Sequence, residues 1–481
     1  MFNLVFLTNK LRALVTISLL VMFVQGCATN SATGGRIIAK SENWEINTGK
    51  QYHQEILKQY TVYNDPQLQN YVNNIGQRLA KQSHRPHLDY TFTVLDSPEV
   101  NAFALPGGYV YVTRGIMAYM TKEAHLAGVI GHEIGHVTGH HGAQRAQQQE
   151  AAGIASAVIA VGTGVSELAQ VSQYLGGALI SGYGRRQELE SDRLGAEYIA
   201  KNNYNVDDMI GVISILKDQE LFAAEKAKAE GKEHQSYHGL FSTHPKNDTR
   251  LKEAIKAAEK YRDLSKPEPD DGTFLRLTNG MAYGEGENQG ITRGNKFYHK
   301  SLNLFIEFPQ GWTVQNTQQA VAAISPNQDQ AIVMQMESIS QSVNPQSYLA
   351  SQFTNFQQGQ QISTASGSAY TGIGVKNDQQ QRIAMIKRGN QGLFISGLGK
   401  SELPNQTFFN VTKSVRGLNS NEQALASGRK IRVITARAGD SIASLARRSN
   451  LDSYGESQIR LINGLYPSGE PRVGQQIKII E

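Results

Sequence analysis

His132 and His136 are spaced so that, on an α-helix, both imidazoles leave the same face about one turn apart. That spacing lets two ring nitrogens grip one metal ion, and Glu133, directly after the first histidine, sets a carboxylate beside it. The stretch reads Gly131-His132-Glu133-Ile134-Gly135-His136 and sits in Leu126–His141, a segment that reads as helical. Two histidines do not complete a catalytic site, so a further ligand must come from elsewhere in the chain.

The next candidates are Glu188 and Asp192, at i and i+4 in a second charged helix that runs from Arg185 to Lys201. Read alone, these acids would pair with Arg185, Arg186 and Arg193 on a solvated face. Beside H-E-x-x-H, the pattern of zinc peptidases, a carboxylate on a downstream helix is the third ligand of the gluzincin class, giving His132, His136, Glu188 and an open position. Asp192 then falls one turn further on, placed to accept a hydrogen bond from a ligand imidazole and fix its tautomer. The metzincin alternative needs a third histidine where Gly142 stands, although Gly139 fits its glycine. It is rejected, which leaves His140 and His141 expected on the surface, with a secondary metal contact as the alternative.

Several elements must position these groups. Apolar residues recur at helical spacing from Gln51 to Lys81, interrupted at Asn64-Asp65-Pro66, which predicts two helices. Tyr90–Leu95 alternates as a strand, and Asn101–Pro106 with Tyr109–Thr113 flank Gly107-Gly108 as a hairpin. A helix is expected from Lys122 to His141 with Thr121 as its N-cap. Ala151 to Ile180 is rich in Ala, Gly, Val and Ile, but Glu167 interrupts it before it reaches the ~20 residues a membrane span needs. A pair of buried or semi-exposed helices is expected there, with a glycine-rich flap over the site as the alternative.

Of the 481 residues, 40% are hydrophobic and 19% charged, which bounds the chain to about two to four globular domains. A net charge of +5, with no basic stripe interleaved with aromatics, gives no footing for nucleic acid. Cys27 is the one cysteine, so intramolecular disulfides and cysteine metal sites are excluded. Lys10 and Arg12 precede an apolar stretch, Ala13 to Val24, that is short for a span and reads as a secretory signal, 1–26. Val24-Gln25-Gly26-Cys27 resembles a bacterial lipobox, which implies a lipid on Cys27, a membrane anchor and, with Ala28 next, outer-membrane sorting in a Gram-negative periplasm. An ordinary signal peptide and an uncleaved anchor are the alternatives. Residues 27–50 read as a tether.

Residues 51–265 resemble metallopeptidase family 48, gluzincins that include bacterial heat-shock proteases and the CAAX prenyl proteases. The resemblance rests on Asn101-Ala102-Phe103, on the motif around Glu133, on Glu188 with Asp192, and on His244-Pro245 followed by Arg250. It implies an α+β, mainly helical gluzincin or minigluzincin domain with one catalytic Zn2+, Glu133 as general base, and polypeptide substrates. It also places His244 at the active site, as oxyanion stabiliser or as a ligand that keeps the enzyme latent, and makes Arg250 a further catalytic residue. Asn101, Ala102 and Phe103 would lie on an exposed strand edge that receives an extended substrate. Unlike the membrane-embedded members, the chain has no clear spanning helix, and no repeat period is visible.

A Pro/acidic stretch at Lys266–Gly272 opens an expected linker, 266–290. Residues 291–420 read as a small α+β accessory domain without a catalytic constellation. In 429–481, Ala438-Gly439-Asp440-Ser441, Asn463-Gly464-Leu465 and Val473-Gly474-Gln475 resemble a LysM module, a βααβ unit that implies peptidoglycan binding, with Tyr466–Arg472 as a long insertion. The whole is a multidomain chain. The competing functional expectation is a lipid-anchored envelope assembly factor whose peptidase site is latent.

Overall fold

The structure, a computed structural model, describes residues 28–29, 36–37, 40–151, 183–231, 256, 258–265, 267, 269–317, 320–376, 379–399, 405–449, 451 and 454–481. Cys27, the Ala151–Ile180 segment beyond its first residue, His244, Pro245 and Arg250 therefore lie outside the described residues.

The first long helix, Glu42–Gln59, begins inside the stretch expected as a tether. Ser41 caps it by accepting from the Trp44 amide, and Glu45 in its first turn is buried, which ties this turn to the domain rather than to solvent. The second, Pro66–Lys81, starts where Asp65 accepts from the Gln67 and Leu68 amides and Pro66 takes the first helical position. It buries Leu68, Val72, Ile75 and Leu79, the expected apolar stripe.

A three-stranded sheet follows, ordered Thr91–Leu95, Tyr109–Thr113, Ala102–Leu105. Its first two strands are parallel, and the last two form the hairpin, in register Ala102↔Val112 and Leu105↔Tyr109. Gly107 and Gly108 both take positive φ, 80° and 102°, a turn few other residues allow. Thr113 then caps the short helix Arg114–Met117 through its side chain.

The motif helix spans Glu123–Thr138, with Lys122 rather than Thr121 at its cap, and it stops short of His141. Every residue in it except His132 is buried, as expected for a helix enclosed on all sides. It packs against Pro66–Lys81, the strand Ala102–Leu105, the acid helix Arg185–Lys201 and the helix Asp208–Ala229. Among the described residues no helix is long and apolar enough to cross a membrane.

The expected linker 266–290 is partly built into this domain. Phe274, in the helix Thr273–Thr278, is fully buried, and Ala282–Tyr283 pairs with the strand Arg429–Thr435. Arg114, itself buried, donates to the carbonyls of Ala282 and Gly284 and clamps the segment down.

Residues 291–399 and 405–425 form a separate unit. A seven-stranded antiparallel sheet is joined by a three-stranded meander and the helices Pro345–Gln352 and Asn405–Ser414. Its own core includes Phe297, Ile306, Ile332, Ile395 and Phe408. The C-terminal unit has strands Arg429–Thr435 and Gln476–Ile480, antiparallel with Ile431 opposite Ile480, around helices Ile442–Arg448 and Gly455–Ile462. Its apolar residues Ile431, Ile442, Ile459 and Ile480 join the same core as Leu68 and Ile130, so this βααβ unit is docked on the helical domain.

Candidate metal centre

The site forms where the motif helix crosses the acid helix, and small residues set the crossing. A Cβ on Gly135 would lie 2.6 Å from Ser191 Oγ and 2.8 Å from the Ser191 carbonyl oxygen. One on Gly195 would lie 2.8 Å from the His132 amide nitrogen, so neither position accepts a side chain. Ser191 Oγ donates to the His132 carbonyl and locks the two helices in register.

That register brings Glu188 over the two histidines. The Nε2 atoms of His132 and His136 lie 3.0 Å apart. Glu188 Oε2 is 3.5 Å from the first and Oε1 is 3.6 Å from the second. One donor atom from each of the three residues falls within 4.8 Å of the others, a set of two nitrogens and one carboxylate oxygen that fits a single metal ion. Nε2 of both rings points to the shared space, and the opposite nitrogens are held from behind. His132 Nδ1 is 2.9 Å from Asp192 Oδ1. Burial alone would push the His132 pKa down, but the Asp192 and Glu188 carboxylates outweigh it and hold it well above its ordinary value. A metal cation in the shared space would take the proton's place between these acids.

Glu133 is buried beside the cluster, 1% exposed. Tyr183 stacks its ring on His136 with centroids 3.9 Å apart, under the Arg145 guanidinium. Burial, and then the charge of Glu133, push the Tyr183 phenol well up, so it stays protonated.

His141 corrects the expectation of a surface position: it is fully buried, with Nδ1 2.8 Å from His136 Nδ1. Its turn comes from the end of the motif helix at Thr138, followed by His140 in the left-handed region at φ 57°. Burial pushes its pKa down, with Glu190 opposing. No helical periodicity points to this residue, because five positions past His136 is a different face. The signal available is Gly139, a helix-ending residue next to a pair of histidines. Ser191 and Tyr183 also escape a reading of the sequence, since neither carries a metal-ligand pattern.

Asn101, Ala102 and Phe103 lie at the strand nearest the motif helix, on the edge of the three-stranded sheet. Their side chains are buried, Phe103 stacking on Tyr111, which corrects the expected exposure. Asn101, Ala102 and Phe103 are 7%, 0% and 4% exposed, backbone included, although their strand is the last of its sheet.

With the two histidines, the glutamate and their supporting groups in place on crossed helices, the arrangement is that of a metallopeptidase. Residues 66–258 match the model of Peptidase family M48, and residues 434–479 match that of the LysM domain. The chain is 26% identical over 256 residues to the beta-barrel assembly-enhancing protease of Escherichia coli K12, covering 51% of this chain and 50% of that one. The protein of the same name from Yersinia pestis is 25% identical over 253 residues, covering 51% and 50%. Mitochondrial metalloendopeptidase OMA1 of Schizosaccharomyces pombe is 30% identical over 126 residues, 26% of this chain and 37% of that one. The chain thus spans about half the length of the bacterial relatives it matches.

Proposed function

We propose that this chain is a zinc-dependent metalloendopeptidase of gluzincin architecture that cleaves unfolded or misassembled cell-envelope proteins. The observation that carries the reading is the convergence of His132, His136 and Glu188 with Asp192 holding the far nitrogen of His132. Zinc bound there supplies a Lewis acid that polarises the scissile carbonyl and makes water acidic near neutral pH. His132 and His136 would hold it through Nε2, and Glu188 through its carboxylate. Glu133 takes the proton of the attacking water and passes it to the leaving amine. The backbone edge at Asn101–Phe103 receives the substrate as an added strand. By the family resemblance, His244 either stabilises the oxyanion or closes the open position, and Arg250 is a further catalytic residue. His244→Ala changes proteolysis without abolishing zinc binding; unchanged kinetics would remove His244 from the site.

The envelope setting is proposed from the relatives' name and from the LysM domain, which suits peptidoglycan as a second partner. Lipid on Cys27 would tether the enzyme to the membrane, at the periplasmic face of the outer membrane.

The test measures zinc content and casein cleavage for wild type and Glu133→Gln. Retained zinc with cleavage reduced at least ~100-fold supports the mechanism. Equal activity in both proteins sinks it and leaves an assembly factor with a latent site.

A further inference from the structure

His136 has an unusual neighbour for a metal ligand. The partner of its Nδ1 is a second imidazole, His141 Nδ1 at 2.8 Å, where His132 has the Asp192 carboxylate at 2.9 Å. Two ring nitrogens at that distance share one proton, so one must donate and the other must accept. For His136 to offer Nε2 to a metal, its proton must sit on Nδ1, and His141 Nδ1 must then carry the lone pair. The His141 proton is thereby assigned to Nε2, which lies 3.6 Å from Glu190 Oε2, an electrostatic contact rather than a hydrogen bond.

The surroundings are built to hold this ring. A Cβ on Gly139 would lie 2.4 Å from His141 Nε2, so the missing side chain at that position is what gives the imidazole room. His140 Nδ1 is anchored 3.0 Å from Glu45 Oε2, which fixes the turn that folds His141 back. The His141 carbonyl accepts from Gln187 Nε2 at 3.5 Å, and Gln187 also donates to Gln144 at 3.0 Å, so the turn is tied to the acid helix.

We propose that His141 is a positioning residue that sets the tautomer and ring angle of His136, with Glu190 orienting His141 in turn. The two ligand histidines are therefore held by different devices, one by a carboxylate directly and one by an imidazole backed by a carboxylate. This rests on the zinc reading above.

The full chain is tested by titrating zinc against a chelator for wild type, His141→Leu and His141→Gln. Leucine fills the space without an acceptor, whereas the Gln side-chain oxygen can accept from His136 Nδ1. We expect His141→Leu to weaken zinc binding about 10- to 100-fold and His141→Gln to recover most of it. Equal affinity for wild type and His141→Leu, or equal losses in the two variants, overturns the proposal. Wild type that binds no zinc refutes the zinc reading instead. A second measurement needs no variant: histidine nitrogen-15 spectra of the zinc-loaded protein should show His141 as the Nε2–H tautomer. An Nδ1–H tautomer overturns the proposal even if His141→Leu does not fold.

Discussion

Lys478, in the last strand of the LysM domain, donates from Nζ to the carbonyl oxygen of Ala118 at 2.5 Å, and to that of Met120 at 2.6 Å. Lys478 is 1% exposed and its Nζ reaches the loop just before the motif helix. The LysM domain is thus pinned to the peptidase domain by a buried amine in a shared apolar core. Burial pushes the Lys478 pKa from its ordinary 10.5 down to about 7.

A sign follows for stability against pH. Between about 7 and 10.5 the unfolded chain binds more protons at Lys478 than the folded one does, so the folded state gains stability as pH rises through that window. Lys478→Met removes this dependence. Chemical denaturation at pH 6.5, 8 and 9.5 should show the difference between wild type and variant moving in favour of wild type as pH increases. A difference that stays flat would show that Lys478 remains charged in its buried position.

Asp192 offers a contrast with the buried imidazole behind His136. Its carboxylate accepts from His132 Nδ1 at the ligand's far side. Asp192→Ala leaves the three donor residues intact but frees the ring, and should weaken zinc about 10- to 100-fold. Chelator competition measures the loss, and far-UV circular dichroism checks that the helices remain. Unchanged affinity would mean that Ser191 and the helix crossing alone hold His132.

The helix crossing makes its own prediction at Gly135. An added methyl meets the Ser191 carbonyl oxygen and Cα, 2.8 Å and 3.0 Å away, backbone that cannot turn aside. Gly135→Ala should therefore cost about 1–3 kcal/mol and push Glu188 off the histidines. Urea denaturation reads the first effect and zinc stoichiometry the second. Loss of stability with full zinc binding would show that the acid helix shifts as a rigid body without losing the site.

Much of the centre is legible in the sequence because its spacing is helical. His132 with His136, and Glu188 with Asp192, each sit at i and i+4, so two local patterns specify two faces and need only be brought together. The strand Gln476–Ile480 and the break at Asp65-Pro66 are equally local signals. His141 is not legible, because its burial depends on a left-handed residue at His140 and on Glu45, far away in the chain. The packed part of 266–290 escapes for the same reason. Its prolines and acids read as loop, while the clamp that orders it, Arg114, lies far upstream. The order of the seven-stranded sheet is likewise a matter of long-range pairing that no alternation encodes.

Arg85 ties the first helix to the end of the motif helix. Its Nη2 lies 2.8 Å from both Glu42 and Glu45, and its Nη1 donates to the Val137 carbonyl at 3.0 Å. The Arg85 and Glu45 side chains are each 2% exposed, so removing the guanidinium leaves the buried Glu45 carboxylate with the His140 ring at 3.0 Å but without its paired cation. Arg85→Ala should cost about 3–5 kcal/mol, and the double variant Arg85→Met with Glu45→Leu should recover most of that by removing both charges. Glu42 adds a pH signature. Its hydrogen bond from Arg85 outweighs burial and lowers its pKa from 4.5, so its contribution is present above pH 4.5 and lost as pH falls through the depressed value. Denaturation of wild type and variants at pH 7 and in the acid range measures both effects. A double variant no more stable than Arg85→Ala would show that the buried pair holds the first helix by geometry, beyond cancelling one charge with another.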